Sequence, residues 1–223
     1  MTLLLNYLLG IVYKLIYYVP LLIISITVHE YAHAKTAQKL GDPTAAIAGR
    51  VSLNPLRHLD PLGSLCMLFF GFGWGKPVPV AVLNFKNPKR GSALVALAGP
   101  VSNLIMACLW GLLFGALAPI LRPGYVYELL LIAIQLNCVL CVFNLLPITP
   151  LDGSRILSLI LPDKIYYKML RYERVLFIVL VVLMLLNVLD PVIRFLANGL
   201  LTGIRYTFIE LGQLIYLGIA SLF

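Results

Sequence analysis

The run His29-Glu30-Tyr31-Ala32-His33 concentrates more reactive chemistry than any other five residues of the chain. On a helix, histidines four residues apart project from one face, so their imidazoles can converge on a single tetrahedral zinc ion. Glu30, next to the first histidine, can reach a water that such a metal activates and take its proton. The H-E-x-x-H pattern therefore points to metal-assisted hydrolysis. Two histidines do not complete a catalytic zinc site, which uses three protein ligands and keeps one position open. The carboxylates that could supply the third include Asp42, Asp60, Asp152, Asp163, Glu173 and Asp190. Asp152 stands apart because it follows a broken apolar run, Asn144-Leu145-Leu146-Pro147-Ile148-Thr149-Pro150-Leu151. Irregular backbone at membrane depth is tolerated only where it is buried in protein or lines a wet cavity. Asp152 could equally cap a short helix that begins at Gly153-Ser154-Arg155-Ile156. Spacing alone leaves both roles open.

Two further polar residues have two readings each. His58 is either a neighbour of the metal site or a loop-fixing group bonded to Asp60 or backbone. Asn103, four residues after Gly99 in an apolar run, is expected to bond between helices, with a place near the site as the alternative. Cys138 and Cys141 form a C-x2-C, but no second pair exists, and all four cysteines lie in apolar runs. Buried free cysteine behaves as a small hydrophobe, and none is given a function.

The elements that carry these residues belong in a lipid bilayer. Of 223 residues, 61% are hydrophobic and only 12% charged, too few to coat a soluble surface of this size. The pattern predicts an all-α polytopic membrane protein with one domain over 1–223 and about five transmembrane helices. The metal-site helix occupies 3–40, irregular at Pro20 and stopped by Gly41-Asp42-Pro43. Region 44–90 differs in character: partial alternation over 45–53 predicts a short strand, 61–75 is short enough for a re-entrant segment, and 76–85 reads as a second extended edge. Further helices are expected over 93–121, 125–146 and 171–189, with a C-terminal helix at 195–223 that has Arg205 and Glu210 at its middle. No charged n-region or cleavage site marks a removable signal peptide.

The net charge of +8 sits in two loops rather than in an aromatic-interleaved patch, so no nucleic-acid partner is implied. Lys35, Lys39, Arg50, Arg57, Lys76, Lys86, Lys89 and Arg90 lie between the first two spans, and Arg155, Lys164, Lys168, Arg171 and Arg174 between the third and fourth. The intervening loop has only Arg122. The positive-inside rule places both rich loops, and with them His29 and Asp152, towards the cytoplasm of a multi-pass cell-membrane protein.

H-E-x-x-H at the end of an early span, followed by N-x-x-P-x-x-x-x-D-G at Asn144, Pro147, Asp152 and Gly153, resembles the site-2 protease family of intramembrane zinc metalloproteases. Gly49–Pro55, His58–Gly63, Gly73–Val80 and Ala98–Asn103 resemble further segments of its short prokaryotic members, so the likeness covers about residues 29–156. The resemblance implies Zn2+ as cofactor and Asp152 as third ligand beside His29 and His33. It implies Glu30 as the catalytic base, and Asn144 near the metal, touching substrate backbone or oxyanion. The substrate it implies is a membrane-spanning protein that must unwind locally before it is cut. The chain departs from better-equipped relatives in showing no PDZ or nucleotide-binding module, and in carrying H-E-x-x-H on its first span. Two other functions use the same residues. A metal or proton transporter would need several successive sites where one cluster is found, and a silent helix-binding protein would have no use for Glu30.

Overall fold

The computed structural model describes residues 2–70 and 74–221, mostly as helix and without a sheet among them. A long helix comes first, built from α1 (Thr2–Tyr13), a π turn at Lys14–Tyr18 and α2 (Val19–Lys39), and its stretch from Leu8 to Lys39 is the apolar candidate span. Pro20 accounts for the π turn. It has no N–H to offer the carbonyl four residues back, and its ring crowds that carbonyl, Ile16. The widened turn relieves the crowding, and the Ile16 oxygen faces the Tyr125 hydroxyl at 3.5 Å. The helix ends where expected, with Gly41 in the left-handed region at φ +100°. The 32 residues from Leu8 to Lys39 run roughly 48 Å, longer than a hydrocarbon core of about 30 Å.

The strand expected over 45–53 does not form. Thr44–Ile47 is instead a single helical turn, α3. Asp42 Oδ1 accepts from both the backbone N–H (3.1 Å) and the hydroxyl (2.5 Å) of Thr44, fixing the chain where that turn begins, and Ala45 and Ala46 favour helix. The alternation that suggested a strand has no partner to pair with, since the isolated bridge among the described residues joins Leu59 to Gly75. The second extended edge is real only in part. Lys76 N donates to His58 O at 2.8 Å, after which Pro77 and Pro79 bring no N–H to a ladder, and Val82–Asn84 closes as a 3-10 turn. Between these pieces α4 (Pro61–Phe70) has ten residues, about 15 Å of helix and too short to cross a bilayer. Residues 71–73 of the expected re-entrant segment lie outside the described ones.

Two full-length spans follow, α5 (Pro88–Leu117) and α6 (Tyr125–Leu145). Asn87 caps α5 by accepting from Arg90 N, and Pro88 occupies its first turn. The chain then passes through α7 (Asp152–Leu157), α8 (Asp163–Arg171), α9 (Glu173–Leu185) and α10 (Asp190–Ile204), then a π turn at Arg205–Ile209 and α11 (Glu210–Ala220). The first, α5 and α6 helices are long and apolar enough to span, and a fourth span exists if α9 and the 190–220 helix, bent by 81°, count as one. The helices expected over 171–189 and 195–223 therefore do not count as two spans here: α9, within the first of them, has 13 residues, about 20 Å, and cannot cross alone. Asn187 makes the break: at φ 56° it lets Asn187 N bond Met184 O and Val188 N bond Leu183 O, a Schellman stop that asparagine tolerates. Arg205 opens the second π turn and Glu210 follows it, and both are exposed, so neither faces the protein interior. Residues 222–223 lie outside the described part.

Helix α5 is the hub of the fold, packed on α2, α6, α7 and α11. A core of Ala107, Phe114, Leu130, Ile134, Cys138 and Val142 joins it to α6 and, through Ile193, Ala197 and Ile204, to α10. A smaller cluster of Ala37, Phe85 and Val95 seals α2 against its other end. Cys138 and Cys141 are buried free thiols within this packing.

Candidate metal centre

Helix α2 presents His29 and His33 towards α5, each about 8% exposed. On α5, Asn103 Oδ1 lies 2.7 Å from His29 Nδ1 and the Val95 carbonyl 2.6 Å from His33 Nδ1. Both partners are oxygens that accept only, so each Nδ1 is the protonated nitrogen and each neutral ring keeps its lone pair on Nε2. Those two Nε2 atoms lie 2.9 Å apart.

Asp152 completes a triangle. Its Oδ2 is 3.2 Å from Nε2 of both histidines, is buried, and makes no well-formed hydrogen bond. Two nitrogen lone pairs and a carboxylate oxygen so close together repel unless a cation lies between them. Tetrahedral zinc with bonds of about 2.0–2.1 Å separates its ligand atoms by roughly 3.3 Å. The observed triangle matches that spacing, and its two nitrogens and one carboxylate oxygen are the donors zinc prefers in hydrolytic sites. Among the described residues, no other group of three His, Cys, Asp or Glu converges in this way.

The capping role weighed for Asp152 is not the one it plays. Leu151 is the N-cap of α7, without a side-chain cap bond, and Asp152 is already the first helical residue. Gly153 shows how α7 reaches the histidines. A β-carbon there would stand 2.2 Å from Leu145 O and 2.4 Å from Leu146 O, so only glycine lets the start of α7 lie against the end of α6. The broken apolar run is therefore the bend that returns Asp152 to α2.

The other sequence-named residues fall in distinct places. Glu30 is half-buried beside His29, and its Oε1 would be 3.7 Å from a β-carbon at Gly75. Asn144 is half-buried and donates to Leu140 O one turn back at 3.0 Å. His58 is fully buried and donates from Nε2 to Ser52 O at 2.6 Å, fixing the 52–58 loop through backbone, and it does not join the cluster. Asn103 bonds between helices as expected, and it also touches a histidine of the cluster. Asp42 accepts from Thr44, Ala81 and Asn84, Asp60 Oδ1 accepts from Gly63 N, and Asp190 pairs with Arg194 at 3.1 Å.

Sequence reading missed three contributors: the Val95 carbonyl, Gly99, whose bare Cα lies against both imidazoles, and Asn137, which bonds Asn103. The spacing of Gly99 and Asn103, four apart on one helix face, carried a signal for the second. A backbone carbonyl carries none.

Comparison with known proteins points the same way. Residues 115–187 match the model of peptidase family M50. The chain is 46% identical over 178 residues to YwhC of Bacillus subtilis, named as a candidate zinc metalloprotease, across 75% of this chain and 79% of that one. Rip2 of Mycobacterium tuberculosis, named in the same way, is 37% identical over 141 residues, 59% of this chain and 52% of its own. The zinc metalloprotease MJ0392 of Methanocaldococcus jannaschii is 31% identical over 147 residues, 66% of this chain and 35% of its own. No solved structure gives a significant match.

Proposed function

Because the chain belongs to peptidase family M50 and is a multi-pass membrane zinc metalloprotease, we propose that it cuts peptide bonds of membrane-spanning proteins with zinc held by His29, His33 and Asp152. One observation carries this reading: two imidazole Nε2 lone pairs and a carboxylate oxygen meet within 3.2 Å of one another. Bound there, zinc supplies Lewis acidity that polarises a carbonyl and makes water a nucleophile near neutral pH.

The chain's own residues do the rest. Glu30 takes a proton from the attacking water on its carboxylate and returns it to the leaving amine. Asn144 uses the amide N–H not engaged with Leu140 to donate towards the developing oxyanion. A substrate helix shields its peptide bonds, so it must unwind before cutting, and an extended edge can hold the unwound segment by strand addition. Of the edges 47–53 and 77–85, the one after Gly75 fits this role better, because the other starts at the end of a helical turn and continues through turns and bends. It is anchored at both ends: Arg50 donates to Lys76 O and Pro77 O, and Asp42 Oδ2 accepts from Ala81 N at 2.8 Å. The basic loops on either side of the site favour a cytoplasmic-facing centre in the cell membrane.

The test is Glu30→Gln in purified protein, assayed with a fluorogenic membrane-spanning peptide. Zinc should stay near one per chain while cleavage falls about 10²–10⁴-fold. Cleavage at the wild-type rate would overturn the assignment of Glu30.

A further inference from the structure

Two buried side chains on two helices line up behind His29. Asn137 on α6 is fully buried, and its Nδ2 donates to Ala133 O, one turn back on its own helix, at 2.9 Å. That bond turns Asn137 Oδ1 towards α5, where it accepts from Asn103 Nδ2 at 3.1 Å. Asn103 is also fully buried, and its Nδ2 lies 3.5 Å from the Ser25 carbonyl of α2 as well. With its Nδ2 committed to these oxygens, Asn103 has only Oδ1 to offer His29 Nδ1, at 2.7 Å. The series begins at a backbone carbonyl, which can only accept, so the direction of every later bond follows.

We infer that Asn137 is a positioning residue for the metal: acting through Asn103, it holds His29 in the tautomer that carries its proton on Nδ1 and leaves Nε2 free for zinc. A flipped Asn103 amide would present N–H to Nδ1 and favour the opposite tautomer, whose protonated Nε2 cannot bind a metal. The flip would also set Asn103 Oδ1 against Asn137 Oδ1 and against the Ser25 carbonyl, a costly meeting of acceptors between fully buried side chains. Hydrogen bonding between spans explains why two asparagines meet in lipid. It does not explain why they form a one-way chain that ends on a metal-site imidazole, whereas orientation of a ligand by outer groups does.

The inference rests on zinc being held through His29, and the experiment separates the two. Zinc affinity is measured by chelator competition and geometry by the d–d absorption of the cobalt form, in wild type, Asn137→Leu, Asn137→Asp, Asn103→Leu and the double leucine variant. Asn137→Asp keeps the acceptor that Asn103 needs, while Asn137→Leu removes it. Asn137→Leu should weaken zinc binding about tenfold and alter the cobalt spectrum, Asn103→Leu should weaken it by about 10–100-fold, and Asn137→Asp should stay within about threefold of wild type. Because Asn137 acts only through Asn103, the double variant should be no weaker than Asn103→Leu. Wild-type affinity in Asn137→Leu, equal losses in the leucine and aspartate variants, or losses that multiply in the double variant would overturn the inference. Should Asn137→Leu not fold, Asn137→Ala takes its place in the same comparison. A wild type that binds no zinc would sink the metal site itself.

Discussion

Gly99 on α5 and His33 on α2 are packed so closely that a β-carbon at position 99 would stand 2.5 Å from His33 Nε2. The same carbon would be 2.5 Å from Cε1 of His29 and of His33, so both imidazoles depend on the absence of a side chain there. Gly99→Ala is expected to push the rings apart and lower zinc affinity at least about tenfold, with helix content unchanged. Chelator competition and far-UV circular dichroism check this. An alanine variant with wild-type zinc affinity would show that the rings tolerate the intrusion.

Asp42 ties the end of the metal helix to the 81–84 segment through bonds from Thr44, Ala81 and Asn84. Burial disfavours its charge, but these bonds outweigh burial and hold its carboxyl below the usual carboxylate value. A carboxyl lowered on folding contributes stability that is fully present above its unfolded value near 3.9 and lost as pH falls through the folded one. Thermal stability should therefore be insensitive to Asp42 from neutral pH down to about 4 and decline below it. Asp42→Ala should cost roughly 2–3 kcal/mol at pH 7 and remove that part of the acid sensitivity. Melting curves over a pH series provide the check, and a variant as stable as wild type at pH 7 would contradict it.

Gly212 on α11 meets α5 at Leu112 O and Ala116 N, 2.3 and 2.7 Å from where a β-carbon would sit, and Gly115 of α5 in turn meets Ile209. Such close backbone approach needs small residues. Gly212→Ala should destabilise the fold by about 1–3 kcal/mol while zinc affinity at permissive temperature stays as in wild type, because this contact lies away from the cluster. A loss of zinc binding in parallel with stability would mean that the C-terminal helix shapes the site.

The site was more legible in the sequence than the fold around it. His29, Glu30 and His33 declare themselves because helical spacing is local. Asp152 could be nominated because prolines in an apolar run mark backbone that needs a protein partner. Whether it capped a helix or faced the histidines depended on the bend at Gly153, a contact with the Leu145 and Leu146 carbonyls that no local pattern encodes. The strand over 45–53 does not form because alternation describes one strand and says nothing of a partner, whereas Asp42 bonds Thr44 at the start of a two-alanine helical turn. The end of α9 at Asn187, one left-handed residue inside an apolar stretch, carries no local signal that would separate it from a longer helix. Asn137, one of three amides on its span with Gln135 and Asn144, gains a role only from what faces it.

The most direct measurement is the zinc content of the purified wild-type protein beside that of Asp152→Ala, both assayed in detergent after removal of loosely bound metal. About one zinc per wild-type chain is expected, with a steep fall in the variant and both proteins folded. An Asp152→Ala protein that keeps one zinc as tightly as wild type would contradict the three-ligand centre, and with it the proposed place of peptide-bond cleavage.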